Sequence, residues 1–302
     1  METIKNFDQL LEQAKQRPGQ GIAVVLPHDK NTLHAVKDAV QSGLAIPRLY
    51  GNREKISAAA AETGLELSGL EILDIPDNGE AAKAAILSVK KGENHILMKG
   101  TMSTGALLKA ALDKNNGLNI GRLASHMIVL DIPGFDRLLI STDGGLNIAP
   151  TLMEKADILK NAIDVARRLG IVRPKAACLA AVESVNPKMQ ATLDAACLSK
   201  MADRKVFGDA VVDGPLAIDN ILSAEAARKK GIVSEVAGQA DIVLAPSIET
   251  ANVFSKTLNY LLHSSNAGIV MGMSAPVILP SRASDPKSKY ASLALGVLVS
   301  KK

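Results

Sequence analysis

The sequence predicts an α/β protein, and three observations predict it. Short apolar runs rich in β-branched residues alternate with Ala-rich amphipathic segments, the pattern of repeated β-α-β units. Hydrophobic residues make up 47% of the chain, yet Trp is absent and there are only four Phe and three Tyr. Ala, Leu, Ile and Val must therefore fill the core, which suits buried parallel strands covered by helices. With 302 residues, the chain can bury one large core or two lobes without a disulfide or structural metal.

In chain order, the first strand signal is 21–27, followed by a helical segment over 31–42. A helix over 80–91 leads into a strand at 95–98, and a further helix follows over 105–113. Apolar runs at 127–132 and 137–141 predict the next two strands. The best-marked helix starts after Thr151, where T-L-M-E offers a capping box with Glu154. Leu152, Ala156, Leu159, Ile163, Ala166 and Leu169 fall on one face, Arg167 and Arg168 close the last turn, and Gly170 is the stop. Strands at 175–182, 241–246 and 267–279 alternate with helices over 187–202, 224–230 and 251–263. No low-complexity linker or fixed-period repeat interrupts the series, so ordinary βα loops must carry the chemistry.

Composition narrows the function. The net charge of +4 comes from basic residues scattered along the chain, which does not make a nucleic-acid stripe and fits mild attraction for anionic metabolites. The few aromatics argue against a base-stacking platform. Cys178 and Cys197 lie in Ala/Leu-rich surroundings with no CxxC spacing, so both are expected to be reduced, buried core residues. The N-terminus is charged from Glu2 onward and the apolar stretches are short, which predicts a cytoplasmic protein with no membrane span.

Four loops place Gly, hydroxyl or charged residues between a strand and a helix. The first, Lys99-Gly100-Thr101-Met102-Ser103-Thr104-Gly105, opens into a helix carrying Lys109. Backbone N–H groups at such a helix start, with Thr101, Ser103 and Thr104 hydroxyls beside them, suit a phosphate; a tight capping turn is the alternative. The order is not that of a P-loop. In the second, Thr142-Asp143-Gly144-Gly145, the glycines allow close approach to the backbone, and Asp143 is placed either to hold a metal or to cap a turn. The third puts Asn252 and Lys256 one turn apart on one helical face, as an anion grip or as solvated surface. The fourth is Pro280-Ser281-Arg282-Ala283-Ser284-Asp285. The Arg282 guanidinium offers a fork for phosphate or an oxyanion and Ser281 a further donor. Asp285 is a base, a partner for Arg282, or part of a helix cap. The five histidines show no HExxH spacing and read as structural or surface residues, and no GxSxG elbow is present.

These loops, with what lies between them, resemble the phosphate acetyl/butyryl transferase family. The resemblance is carried by K-G-T-M-S-T-G with L-L-K-A-A-L, A-S-H-M-I-V-L-D-I-P, T-D-G-G-L-N-I-A-P, A-V-E-S-V-N-P-K-M-Q-A-T, V-D-G-P-L-A-I-D-N, the Asn252 and Lys256 pair, and A-P-V-I-L-P-S-R-A-S-D. Glu183 to Met189, and Asp213-Gly214-Pro215 with Asp219, resemble the butyryltransferase branch more than the acetyltransferase branch.

The resemblance implies a two-lobed fold like that of the isocitrate and isopropylmalate dehydrogenases, with an interlobe cleft. By analogy, residues 1–122 and 270–302 form one lobe and 123–269 the other. It implies transfer of a short acyl group between CoA and inorganic phosphate, with butyryl-CoA as the acyl donor, no cofactor or metal, and a homodimer or higher homo-oligomer. Ser281 and Arg282 match the family's catalytic Ser-Arg pair, and Lys109 matches a basic residue that is Arg in acetyltransferases. The catalytic Asp of those relatives lies a few residues further past the pair than Asp285 does. Alternatives are a phosphate acetyltransferase, a non-catalytic acyl-CoA-binding protein of the same fold, and a metal-dependent dehydrogenase with Asp143 as ligand.

Overall fold

The computed structural model describes residues 2–280 and 285–301. The chain divides into two compact units: a terminal unit, Phe7–Arg122 with the segment from Ala267 onward, and a central unit, Leu123–Asn266 with the residues before Phe7.

The first stretch runs α1 (Phe7–Lys15), β1 (Gly21–Val25), α2 (Lys30–Gln41), β2 (Ile46–Gly51), α3 (Arg53–Thr63), β3 (Glu71–Asp74), α4 (Asn78–Lys90), β4 (Ile96–Lys99) and α5 (Thr104–Ala111). β1 pairs in parallel with β2 on one side and β4 on the other, and every β1 residue is buried. Helices on both faces of a parallel strand explain why it reads as a continuous apolar run. β2 and β3 escape the sequence pattern for a physical reason. Pro47 and Arg48 interrupt the apolar run of β2, while β3 has exposed Glu71 and Asp74 at its ends. Arg48 and Glu71, partners in the β2–β3 register, form an ion pair at 2.7 Å. Asp29, Asn52, Asp77 and Ser103 cap α2, α3, α4 and α5 by accepting a backbone N–H three residues on.

The middle stretch runs β5 (Ser125–Asp131), β6 (Leu139–Thr142), α6 (Leu152–Arg168), β7 (Lys175–Leu179), α7 (Gln190–Asp203), β8 (Val211–Leu216), α8 (Ile218–Leu222), α9 (Ala224–Lys229), β9 (Ile242–Leu244) and α10 (Ile248–Leu262). The strand order is β5-β6-β9-β7-β8, antiparallel between β5 and β6 and parallel elsewhere. α6 carries both halves of the Thr151–Glu154 capping box. Its C-terminal carbonyls find partners in residues expected with the other lobe: Ile4 N donates to Leu169 O at 2.9 Å and Thr3 Oγ1 to Gly170 O at 3.0 Å. Those bonds place the residues before Phe7 in the central unit.

The final stretch has β10 (Ser265–Met271), whose first two residues count with the central unit, then β11 (Val277–Ile278) and α11 (Pro286–Val299). The single apolar run at 267–279 is therefore two strands, antiparallel to each other and broken at Gly272, where φ is +94°. β11 lies beside β4 in parallel, completing the order β3-β2-β1-β4-β11-β10 in the terminal unit. Ten of the 14 residues of α11 are buried, so it shows no amphipathic stripe to announce it. Among the described residues no helix is long and apolar enough to cross a membrane.

Candidate active site

The 99–105 loop of the terminal unit is laid directly onto the β1–α2 turn. Gly100 N donates to Val25 O at 2.7 Å, and Thr101 donates to Leu26 O through both N (2.9 Å) and Oγ1 (3.2 Å). Only glycine fits at position 100, because a Cβ there would stand 2.1 Å from Leu26 O. Lys99 at the root of the loop is 3% exposed and donates through Nζ to Gly100 O at 3.0 Å. Thr101, Ser103 and Thr104 are exposed around the start of α5. Ser103 Oγ accepts from Ala106 N at 3.3 Å, which leaves the hydroxyl hydrogen to donate elsewhere. Lys109 is exposed in the last turn of α5, at the opposite end of the helix from that cap. Its Cα lies roughly 7.5 Å along the axis from Thr104 at 1.5 Å per residue.

Ser281 and Arg282 lie outside the described residues, but both flanks are fixed. Ile278 is level with Met98 in the parallel β11–β4 pair, so Leu279 and Pro280 leave the sheet at the same end as Lys99. On the far side Asp285 caps α11, its Oδ1 accepting from Ser288 N at 2.7 Å. The helix-cap reading of Asp285 is thus the one its described contacts support.

The β1–α2 turn holds His28 and Asp29, a pair too short in sequence for a metal-hydrolase constellation, with His28 read as a structural or surface residue. Asp29 caps α2 by accepting from Thr32 N (2.9 Å) and Thr32 Oγ1 (2.6 Å), and it also faces Lys289 Nζ at 3.3 Å. Burial raises its pKa, but the Thr32 bonds and the Lys289 ammonium outweigh that and hold the carboxyl below its ordinary value. His28 packs against Gly51, where a Cβ would stand 2.7 Å from Nε2. Burial first and Lys55 second push the imidazole pKa down, against the pull of Asp29. His28, Asp29, Lys30, Lys55 and Glu62 line a pocket of about 320 Å³. The signal for this corner was His28-Asp29-Lys30 directly after a strand, too short a motif to separate from an ordinary cap.

In the central unit, Asp143 is 2% exposed and both of its oxygens are engaged. Oδ1 accepts from Gly145 N (2.8 Å) and Leu146 N (2.9 Å), and Oδ2 from His126 N (3.1 Å) and Asn147 Nδ2 (2.6 Å). Of the two roles open to Asp143, its described contacts are those of the turn cap. Asn252 Nδ2 donates to Gly144 O at 3.1 Å and so fastens the same turn, while Lys256, one helical turn on, is exposed. Gly145 has to be glycine, since a Cβ would come within 2.9 Å of the His126 ring. Burial lowers the His126 pKa, with Asp143 pulling the other way.

The two motifs that resemble the butyryltransferase branch meet in space. Glu183 accepts from Asn220 Nδ2 and from Lys230 Nζ, and Lys230 also reaches Asp219 at 3.0 Å. The cysteines divide: Cys178 is buried, and burial with Asp213 as the second cause pushes its thiol up to about 12. Cys197 is exposed, contrary to the expectation, because it falls off the buried stripe of α7 formed by Asp194, Ala195 and Leu198. Among the described residues no group of three or more His, Cys, Asp or Glu is placed to hold a metal ion.

Comparison with known proteins bears on both units. The family model described as "Phosphate acetyl/butaryl transferase" matches residues 76–297. The phosphate butyryltransferase of Clostridium acetobutylicum is 45% identical over 296 residues, covering 98% of each chain. The phosphate acetyltransferase of Thermotoga maritima is 40% identical over 292 residues, covering 97% of this chain and 99% of that one. Among solved structures, a branched-chain phosphotransacylase from Enterococcus faecalis superposes with a TM-score of 0.82 at 28% identity, covering 93% of this chain and 98% of its own. A 4-hydroxythreonine-4-phosphate dehydrogenase from Salmonella typhimurium, 14% identical, covers 93% of this chain and 99% of its own with a TM-score of 0.59, which is a likeness of fold. The fold is of the isocitrate/isopropylmalate dehydrogenase type.

Proposed function

Since the chain belongs to the phosphate acetyl/butyryl transferase family, we propose that it transfers a short-chain acyl group between CoA and inorganic phosphate, with butyryl-CoA as its acyl donor. The observation that carries this reading is the 45% identity to a phosphate butyryltransferase across 98% of both chains.

A phosphate oxygen attacks the thioester carbonyl, a C–O bond forms, the C–S bond breaks, and CoA leaves as a thiolate that takes up a proton. Phosphate is already an anion at neutral pH, so the protein's task is to hold it against the carbonyl and to stabilise the developing oxyanion. In this mechanism Arg282 grips the phosphate and lowers the charge cost of the tetrahedral intermediate, and Ser281 donates to its oxyanion. Thr101, Ser103, Thr104 and the first N–H groups of α5 bind phosphate oxygens, with Lys99 and Lys109 supplying positive charge. The buried Lys99 and the Gly100 close approach support a phosphate cradle at this loop. Asn252 and Lys256 contact substrate in the central unit. Asp285 keeps its α11 cap through Oδ1 and accepts a proton through Oδ2 in the thiol direction, since a thiol with a pKa of roughly 8.5 is mostly protonated at pH 7. The enzyme works in the cytoplasm, without a resident metal or cofactor, as a homodimer or a multiple of one.

The 40% identity to a phosphate acetyltransferase favours a second reading, in which acetyl-CoA is the preferred donor. Release of free thiol from acetyl-, propionyl- and butyryl-CoA, with and without phosphate, tests both. Phosphate-dependent release with the highest kcat/KM for butyryl-CoA is expected. A preference for acetyl-CoA selects the second reading, and no phosphate-dependent release from any of the three overturns both.

A further inference from the structure

α10 lies wholly within the central unit and is apolar on two sides. Ala251, Phe254 and Leu258 turn inward, the last two against the core that also holds Leu130, Leu139 and Val243. The other side carries Glu249, Val253, Lys256, Thr257, Tyr260 and Leu261, all exposed, at spacings that put them on one stripe. Val253 is 65% exposed, Tyr260 67%, Leu261 73% and Leu262 50%. No other helix among the described residues carries more than one exposed large apolar side chain. The chain has only three Tyr, and while Tyr50 is buried, Tyr260 stands in water. Tyr is a residue that interfaces between proteins favour.

We propose that this stripe is the seam of a homodimer, in which two copies of α10 pack antiparallel about a twofold axis beside Thr257. The inference gives the homodimer named above its face and rests on that part of the reading. A twofold contact requires one patch to complement itself. With the axis between Lys256 and Thr257, Val253 of each copy meets Tyr260 of the other, and Lys256 meets Thr257. The two Lys256 side chains then fall on opposite sides of the seam. The two Glu249 residues stand at its opposite ends, about 22 Å apart at 1.5 Å per residue, so no like charges are brought together. A parallel pairing would set Glu249 on Glu249 and Lys256 on Lys256. At the stated exposures the four apolar side chains put on the order of 400 Å² into water, as much as the largest patch of an ordinary monomer and about half of the ~800 Å² that each partner buries in a specific interface. Ile148 O accepts from Ile248 N at 2.9 Å, so the exposed Ile148 side chain adds apolar surface at the start of α10. A lipid surface is the poorer fit, because the stripe holds one cation and one anion, whereas a helix lying on a membrane carries a basic polar face.

The test is sedimentation equilibrium of the parent, Val253→Glu and Tyr260→Glu over a wide concentration range. The parent is expected to sediment as a dimer or a multiple of one. Each variant places its charge at two symmetric contacts and is expected to raise the Kd of the dimer at least about a hundredfold, with the far-UV circular dichroism of the parent retained. Oxidation of Thr257→Cys is expected to link two copies by a disulfide and that of Glu249→Cys is not, with the parent and its exposed Cys197 as the control. A parent that stays a single chain at every concentration overturns the inference and the homodimer reading together. An oligomeric parent whose V253E and Y260E variants keep its Kd overturns the α10 seam alone. Cross-linking of E249C as fast as T257C overturns the antiparallel pairing. Thiol release from butyryl-CoA by the parent tests the acyl-transfer reading separately.

Discussion

Replacing Gly100 with alanine puts a methyl carbon 2.1 Å from Leu26 O, 0.9 Å inside the 3.0 Å limit below which real Cβ contacts are essentially absent. The obstructing atoms are backbone, Leu26 C and Val25 O standing at 2.7 Å, so no side chain can swing aside. The loop itself must retreat. A shift of 0.9 Å directed along the Gly100 N–Val25 O bond lengthens it from 2.7 Å to about 3.6 Å, beyond hydrogen-bonding range. A buried donor left unmade costs about 1–3 kcal/mol and the overpacking costs about as much again. The sum, about 2–6 kcal/mol, corresponds to a fall in Tm of roughly 4–24 °C for a unit of this size. Because the same retreat carries Thr101 and the start of α5, kcat should fall by about a hundredfold, the cost of moving positioning groups by about 1 Å. Scanning calorimetry and phosphate-dependent thiol release measure the two effects. A Gly100→Ala enzyme with kcat within threefold of the parent and an unmoved Tm would show that the 99–105 loop neither packs nor acts as described.

Other outcomes follow from the same geometry. Arg282→Gln should lower kcat about a hundredfold, as for loss of an oxyanion donor, and parental turnover removes Arg282 from the reaction. A thiol reagent at pH 8 should titrate one cysteine per native chain, the exposed Cys197, and a second only after denaturation, since Cys178 is buried with its pKa at about 12; two fast equivalents in the native protein contradict that burial. The Asp29 pKa is depressed on folding, so its contribution to stability is complete above the unfolded value of about 3.9 and is lost as pH falls through the lower folded value. The gap in urea midpoint between the parent and Asp29→Asn should therefore be constant above about pH 5 and narrow progressively as pH falls below the unfolded value of about 3.9; a gap that stays equal down to the lowest pH at which the parent is folded refutes the shift.

The elements that the sequence makes legible are those with one dominant local signal. α6 has a cap, a stripe, a basic last turn and a glycine stop, and all four are present. β1 and β4 are apolar enough to stand out. What stays hidden depends on tertiary context. β8 carries Asp213-Gly214-Pro215 in its interior, residues that read as a turn until β7 is seen beside them. α11 is buried nearly all round, and its Lys289 looks like one more surface lysine in P-K-S-K-Y until Asp29 arrives from about 260 residues away. At the site, the Gly100 loop was readable because close approach of backbone to backbone selects small residues. Asp143 was not, because its choice between metal ligand and cap turns on four donors that gather only in the folded unit.

The position of β11 has a consequence for how the chain is made. β4 is complete when residue 99 leaves the ribosome, yet its neighbour on one side, β11, lies at Val277–Ile278. Between Arg122 and Ala267 the ribosome delivers the central unit, which at about 5–20 residues per second takes roughly 7–30 s. Throughout that interval the nascent terminal unit presents Ile96, Leu97 and Met98, all 0% exposed once folded, along an unpaired strand edge, the kind of edge that templates aggregation. Vectorial synthesis therefore makes the central unit the first to be completed. The Ser281–Arg282 segment is delivered within the same last stretch of chain that closes this edge.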